Sequence, residues 1–229
     1  MIVKGLNMFK AEDWKLKYRP NTLDEVILPV DLREELLGFK SGESTQNLLF
    51  HGDPGRGKTT CSMLLRDSDL DIHFVNCSIK SSVDDIKALE LIGSSVTFTG
   101  NRRLFVLDEV EKLSKEAFKT LRGLIEHLSI GNDFILTAND ISKMDKAVIS
   151  RLSKVNFDFE VDSKIRNQIK NRLEQILRLE GIELNPDYSF EIDGLIDDNV
   201  KFNKINNIST IDLRLLVGKL QRLVFRWKN

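Results

Sequence analysis

Cysteine and histidine are scarce in this 229-residue chain, which holds only Cys61 and Cys77 and His51, His73 and His127. The two cysteines form no CxxC pair, so neither a zinc centre nor a disulfide framework organises the chain, and free buried thiols in a reducing compartment are expected. Long apolar runs are missing as well. None approaches the length that crosses a bilayer, and the N-terminal MIVKGLNMFKAEDWK has no apolar core behind its charge, so no membrane partner is expected and a cytoplasmic location is. Nor is there an excess of either charge: 34 Lys and Arg against 35 Asp and Glu give −1. That balance excludes indiscriminate coating of nucleic acid and leaves room for a local basic strip or for helix N-termini that hold phosphates. Internal repeats and low-complexity segments are absent.

What is present is ordinary globular material, 41% hydrophobic and 30% charged, enough for one large or two modest domains. In chain order, an extended lead-in carries KYRPNTLDEVILP, and a helix follows with Asp31 as its cap and SGESTQ as its end. Asn47–His51 reads as a buried strand running straight into the glycine loop GDPGRGKTT, and a helix continues from Lys58 to about Arg66. DIHFVN, RRLFVLDEVEKL, Asp133–Asp140 and VNFDF at Val155–Phe159 read as further strands, with SSVDDIKALELIG and SKEAFKTLRGLIEHL as helices between them. Strands alternating with helices predict a parallel α/β sheet with helices on both faces. After Glu160 only helical patterns remain. A boundary near Val161 therefore divides a 1–160 α/β domain from a 161–229 helical domain, whose last helix carries Leu213, Leu216, Val217, Leu220, Leu223 and Val224 as a core-facing stripe.

The chemistry is concentrated where strands end. Gly52, Gly55 and Gly57 let backbone N–H groups close around phosphate oxygens, Lys58 adds the charge, and Thr59 offers a hydroxyl to magnesium. Asp108 at the end of the apolar run Leu104–Leu107 is placed to hold the metal, and Glu109 to polarise an attacking water. Asn139 closes FILTAN within reach of a γ-phosphate or that water. Arg151 either caps a helix C-terminus or projects from the subunit edge toward a neighbour's nucleotide, and its spacing does not decide between the two.

KYRPNTLDEVILP, GDPGRGKTT, FVNCS, VLDEVEK, LTAND and SRLS occur in an order and at spacings that resemble the AAA+ ATPase subunits of sliding-clamp loaders, both the T4-type phage loader large subunit and the replication factor C small subunits. The resemblance implies an AAA+ P-loop NTPase α/β domain with a small all-helical lid, and ATP and Mg2+ as ligands. It also implies an ATPase that couples binding and hydrolysis to opening a sliding clamp and loading it on primer-template DNA, in a bacterial or phage-infected cytoplasm.

Carried over by position, the loop from Gly52 through Gly55, Arg56 and Gly57 to Lys58, Thr59 and Thr60 contacts phosphate and metal, and Asp108 and Glu109 form the metal and water pair. Asn139 becomes a first sensor, Arg151 a finger acting in trans, and Arg214 in TIDLR a second sensor on its own subunit's γ-phosphate, with a solvated helix-face charge as the alternative. Tyr18, Arg19 and Pro20, with Val26–Pro29, match the segment that wraps the adenine. Ile79, Lys80, Ser81 and Ser82 lie where such loaders grip DNA phosphates, although helix capping explains the serines as well.

The chain also departs from the pattern. Leu152 and Ser153 follow the finger where most relatives have Cys, Val110 and Glu111 replace the commoner ending of the acidic motif, and the chain stops at Asn229 without the collar domain. Either the chain is a shortened one or its assembly depends on other loader subunits; a hetero- or homo-oligomer through the ATP interface is expected, with a monomer as the alternative for the isolated chain. Another AAA+ loader or remodeller, for transposition or helicase loading, and a non-catalytic nucleotide-holding scaffold are the rival functions.

Overall fold

Four of the five strands carry runs of apolar residues whose successive side chains point to opposite faces, so a sheet made from them must be covered on both. The computed structural model, which describes residues 13–41, 47–65, 71–95, 103–203 and 207–227, has this arrangement. Strands β1 (Leu48–His51), β2 (Asp71–Asn76), β3 (Arg103–Asp108), β4 (Asn132–Ala138) and β5 (Ser153–Asn156) form one sheet in the order β2-β3-β4-β1-β5. Every pairing in it is parallel. All residues of β3 are buried, as its place between β2 and β4 demands.

Helices α1 (Trp14–Lys17), α2 (Val30–Lys40), α3 (Lys58–Leu64), α4 (Val83–Gly93), α5 (Lys115–Leu128) and α6 (Lys146–Ile149) belong to the same part of the chain. On one sheet face Leu49, Phe105, Leu107, Phe134 and Leu136 pack against Ile86 and Leu89 of α4 and Phe118, Leu121 and Leu124 of α5. On the other, Leu48, Phe50, Leu104, Val106 and Ile135 meet Leu32 and Leu36 of α2 and Cys61 of α3. Both cysteines are buried and unbridged, and burial pushes each thiol up to about 12.

Beyond Val161, α7 (Ser163–Leu179), α8 (Pro186–Asp197) and α9 (Leu213–Trp227) enclose a third core around Ile169, Leu173, Ile176, Ile192, Ile196, Leu216 and Leu220, with Trp14 of α1 inserted from the N-terminal segment. A two-stranded antiparallel ribbon, β6 (Lys201–Asn203) and β7 (Ile208–Thr210), joins α8 to α9; the helical pattern of the sequence does not announce it. Among the described residues no helix is long and apolar enough to cross a membrane.

Some boundaries differ from those expected. β5 starts two residues before the expected Val155–Phe159 and ends three residues before it, because its partner β1 ends where the chain turns into the glycine loop: Phe157 N–H makes the last ladder bond, to His51 O at 2.8 Å. Helix α2 begins at Val30 after Pro29, so Asp31 lies in the first turn, favourable to the helix dipole, and is not the cap. Helix α3 ends at Leu64. Arg66, Arg102 and residues 42–46 of SGESTQ lie outside the described residues.

Candidate functional site

In an open parallel sheet the loops beyond the strand C-termini converge where the strand order reverses, and here that crevice lies beside β1, between β4 and the other half of the sheet. Gly52 follows β1, Asp108 ends β3 and Asn139 follows β4, so all three reach the same edge. Asp108 and Asn139 line a cleft of about 520 Å3 together with Gly55, Gly57, Lys58, Thr59 and Thr60 of the glycine loop, Tyr18, Arg19, Pro20, Val26, Glu109 and, from α9, Arg214 and Val217.

The loop's conformation requires its glycines. Gly57 enters α3 at φ 97°, and a Cβ on Gly55, at φ 77°, would lie 2.0 Å from Asp212 Oδ1. The Lys58 ammonium donates to Gly52 O at 2.6 Å and to Asp53 O at 2.8 Å. Burial pushes its pKa down to about 8, with Asp158, Glu111, Asp108 and Asp53 opposing that shift. A buried ammonium held by carbonyls of its own loop is poised to exchange them for phosphate oxygens.

Asp108, buried at the tip of β3, accepts at Oδ1 from the Thr59 hydroxyl at 2.8 Å and the Thr137 hydroxyl at 2.6 Å. Thr137 also accepts the Glu109 N–H at 3.1 Å, and Glu109 itself sits in the left-handed region at φ 56°. Carboxylate and hydroxyl oxygens brought together beside a phosphate loop suit a hard divalent cation. Among the described residues no group of three or more His, Cys, Asp or Glu side chains is arranged to hold a metal. Thr59 and Asp108 are the residues that would hold such a cation beside a bound phosphate.

Asn139 donates from its backbone N–H at 3.1 Å and from Nδ2 at 3.0 Å to the same oxygen, Glu111 Oε1. Glu111 thus fixes the amide and leaves one Nδ2 hydrogen and Oδ1 for the cleft. At the other end of the cleft, Arg19 Nε donates to Thr60 Oγ1 at 3.2 Å and the Tyr18 hydroxyl to Glu180 of the loop after α7. Gln168 of α7 closes two hydrogen bonds with Leu28, at 3.3 Å and 3.1 Å, holding the expected adenine segment against the C-terminal helices.

The side chains of two expected residues are engaged elsewhere. Arg56 lines the cleft, but its side chain is committed away from it: it is 1% exposed, and its guanidinium donates to the carbonyls of Phe157, Phe159 and Ile211. Arg151 lies outside the cleft of its own chain, held by Glu126 and by the Ala147 carbonyl. Ser82 caps α4 in a reciprocal capping box with Asp85, which accounts for its hydroxyl, while Lys80 and Ile79 are exposed just before that helix.

The sequence reading missed Thr137, Glu111, Asp158 and Asp212. Thr137 had a faint signal, a hydroxyl inside the apolar run FILTA. Asp158, which accepts the Asp53 N–H at 2.7 Å, had none, because its place beside the loop depends on β5 lying alongside β1.

Residues 48–163 match the sequence profile of the "ATPase family associated with various cellular activities (AAA)". The sliding-clamp-loader large subunit of Enterobacteria phage T4 is 32% identical over 73% of this chain and 54% of its own length. Replication factor C subunit 3 of Blastobotrys adeninivorans is 27% identical over 91% of this chain and 59% of its own. The chain thus spans somewhat more than half the length of these curated relatives. Among solved structures, the Thermotoga maritima RuvB Holliday junction branch migration motor superposes with a TM-score of 0.60 at 18% identity, covering 90% of this chain and 72% of that one, a likeness of fold.

Proposed function

Since the chain belongs to the AAA family of ATPases, we propose that it is an ATP-hydrolysing motor subunit of a sliding-clamp loader, with residues 1–160 binding the nucleotide and 161–229 forming its lid. The observation that carries this reading is the meeting of Thr59 from the glycine loop with Asp108 at the strand tip, with Glu109 next in the chain, inside a cleft that also takes in Tyr18–Pro20 and Arg214. The likeness to named clamp-loader subunits supplies the biological setting.

On this reading Lys58 leaves the carbonyls of Gly52 and Asp53 for the phosphate oxygens. Thr59 and Asp108 would hold Mg2+, which would supply positive charge against the phosphates. Glu109 orients the attacking water and draws off its proton, and its left-handed backbone, pinned through Thr137, keeps the carboxylate in place. Asn139, fixed by Glu111, offers its free amide hydrogen to the γ-phosphate, and Arg214 approaches the same group from the lid.

Arg151 completes the site of a neighbouring subunit. Its position outside the cleft of its own chain supports action in trans, so that ATP bridges two subunits and DNA or clamp engagement is felt at the nucleotide. Lys80 and Ser81 are the groups proposed to meet DNA phosphates, with Ser82 acting chiefly as the cap. A pull-down with the sliding clamp of the same replication system tests the assignment: retention that depends on a non-hydrolysable ATP analogue supports it. An ATPase that ignores the clamp with and without nucleotide would be a motor of another kind.

A further inference from the structure

Arg56 sits inside the glycine loop, yet its guanidinium is buried and spent on joining that loop to the segment after β5 and the start of α9. Nε donates to Phe157 O at 3.1 Å, Nη1 to Ile211 O at 3.0 Å, and Nη2 to Phe159 O, whose ring lies 4.1 Å from the guanidinium carbon. Phe157 and Phe159 belong to the chain leaving β5; Ile211 is itself buried and lies two residues before α9. Nearby contacts run the same way. Asp212 packs against Gly55 so closely that no Cβ fits, while its carboxylate accepts Leu215 N–H at 2.9 Å and caps α9, and Asn203 Nδ2 reaches Asp53 Oδ2 at 3.4 Å.

A planar guanidinium can bridge three carbonyls in fixed directions, which an ammonium cannot. The start of α9 is therefore tied to the loop at Gly55 and Arg56, with β6 adding the contact at Asp53, and Arg214 lies in the first turn of α9, lining the nucleotide cleft. The geometry points to Arg56 as a positioning residue that sets the distance between the phosphate loop and Arg214, so that Arg214 discriminates ATP from ADP only while Arg56 holds the joint. This inference rests on the ATP-site reading above, with Arg214 directed at the γ-phosphate.

The test compares equilibrium affinities of the full-length chain for Mg-ATP and Mg-ADP in the wild type, Arg56→Met, Arg214→Ala and the double variant, with Arg56→Lys as a milder change and thermal melting as the check of folding. Arg214→Ala is expected to weaken ATP about tenfold, the scale of one lost charge-assisted hydrogen bond, and to leave ADP unchanged. Arg56→Met is expected to do the same, and the double variant to remain near tenfold, because both changes remove one interaction. Arg56→Lys should lose part of the ATP preference while melting as a folded protein.

Equal weakening of ATP and ADP by the folded Arg56 variants would make Arg56 a purely structural residue and overturn the inference. So would a double variant weakened by the product of the single effects, about a hundredfold. A wild-type chain that binds neither nucleotide would overturn the ATP-site reading itself and the inference with it, an outcome distinguished by the wild-type arm alone.

Discussion

Replacing Thr137 by valine keeps the shape of a residue that is 1% exposed and deletes only its hydroxyl. That hydroxyl donates to the Asp108 carboxylate at 2.6 Å and accepts the Glu109 N–H at 3.1 Å, so Thr137→Val removes a charge-assisted hydrogen bond and orphans a backbone donor. The first loss is worth about 2 kcal/mol and the second about 1 to 3 kcal/mol, giving an expected destabilisation of about 3 to 5 kcal/mol. Thr137→Ser keeps both hydrogen bonds and loses one methyl, for about 1 kcal/mol. Denaturant unfolding of the three proteins without nucleotide measures this order directly. Turnover should follow: with the Glu109 backbone released, valine lowers kcat on the order of tenfold or more, while serine stays near wild type. A valine variant within about 0.5 kcal/mol of wild type would refute the claim that Thr137 holds the acidic pair in place.

Lys58 gives a pH signature. Its pKa is pushed down to about 8 in the nucleotide-free fold, against an ordinary 10.5, so the unfolded chain holds more protons between those values and this group's destabilising contribution is relieved as pH rises through that window. Phosphate binding requires the charged form. ATP affinity should therefore fall about tenfold per pH unit above about 8, and calorimetry at pH 8.5 in buffers of different ionisation enthalpy should detect proton uptake on binding; no uptake would contradict the depressed pKa. Arg151→Ala should cut the stimulated ATP turnover of the assembled complex by about a thousandfold or more and leave the isolated chain's ATP affinity unchanged. A collapse of affinity in the isolated chain would place Arg151 in cis.

The sheet was legible because its signals are local. The strand DIHFVN, the apolar run ending in Asp108 and the capping box at Ser82 each carry their own pattern, and the structure has Asp71–Asn76, Arg103–Asp108 and α4 at those places. What escaped the sequence reading depends on distant partners. Arg56 meets carbonyls 101 and 155 positions away, and no nearby residue marks it as anything but a loop residue. Glu111 read as a departure beyond the essential pair, and only the approach of β4 to β3 gives it Asn139 to hold. The end of β5 was misplaced because its apolar residues continue past the point where β1 can pair with them: Phe157 stays fully buried after the ladder has ended.

The most direct measurement is ATP turnover by the chain with its partner subunits, clamp and primer-template DNA, for wild type and Glu109→Gln side by side, with ATP binding measured on both. The expected result is turnover stimulated by clamp and DNA in the wild type, and ATP binding without turnover in the variant, because glutamine keeps the shape and cannot draw a proton from water. Unchanged hydrolysis by Glu109→Gln, or a wild type indifferent to clamp and DNA, would contradict the account.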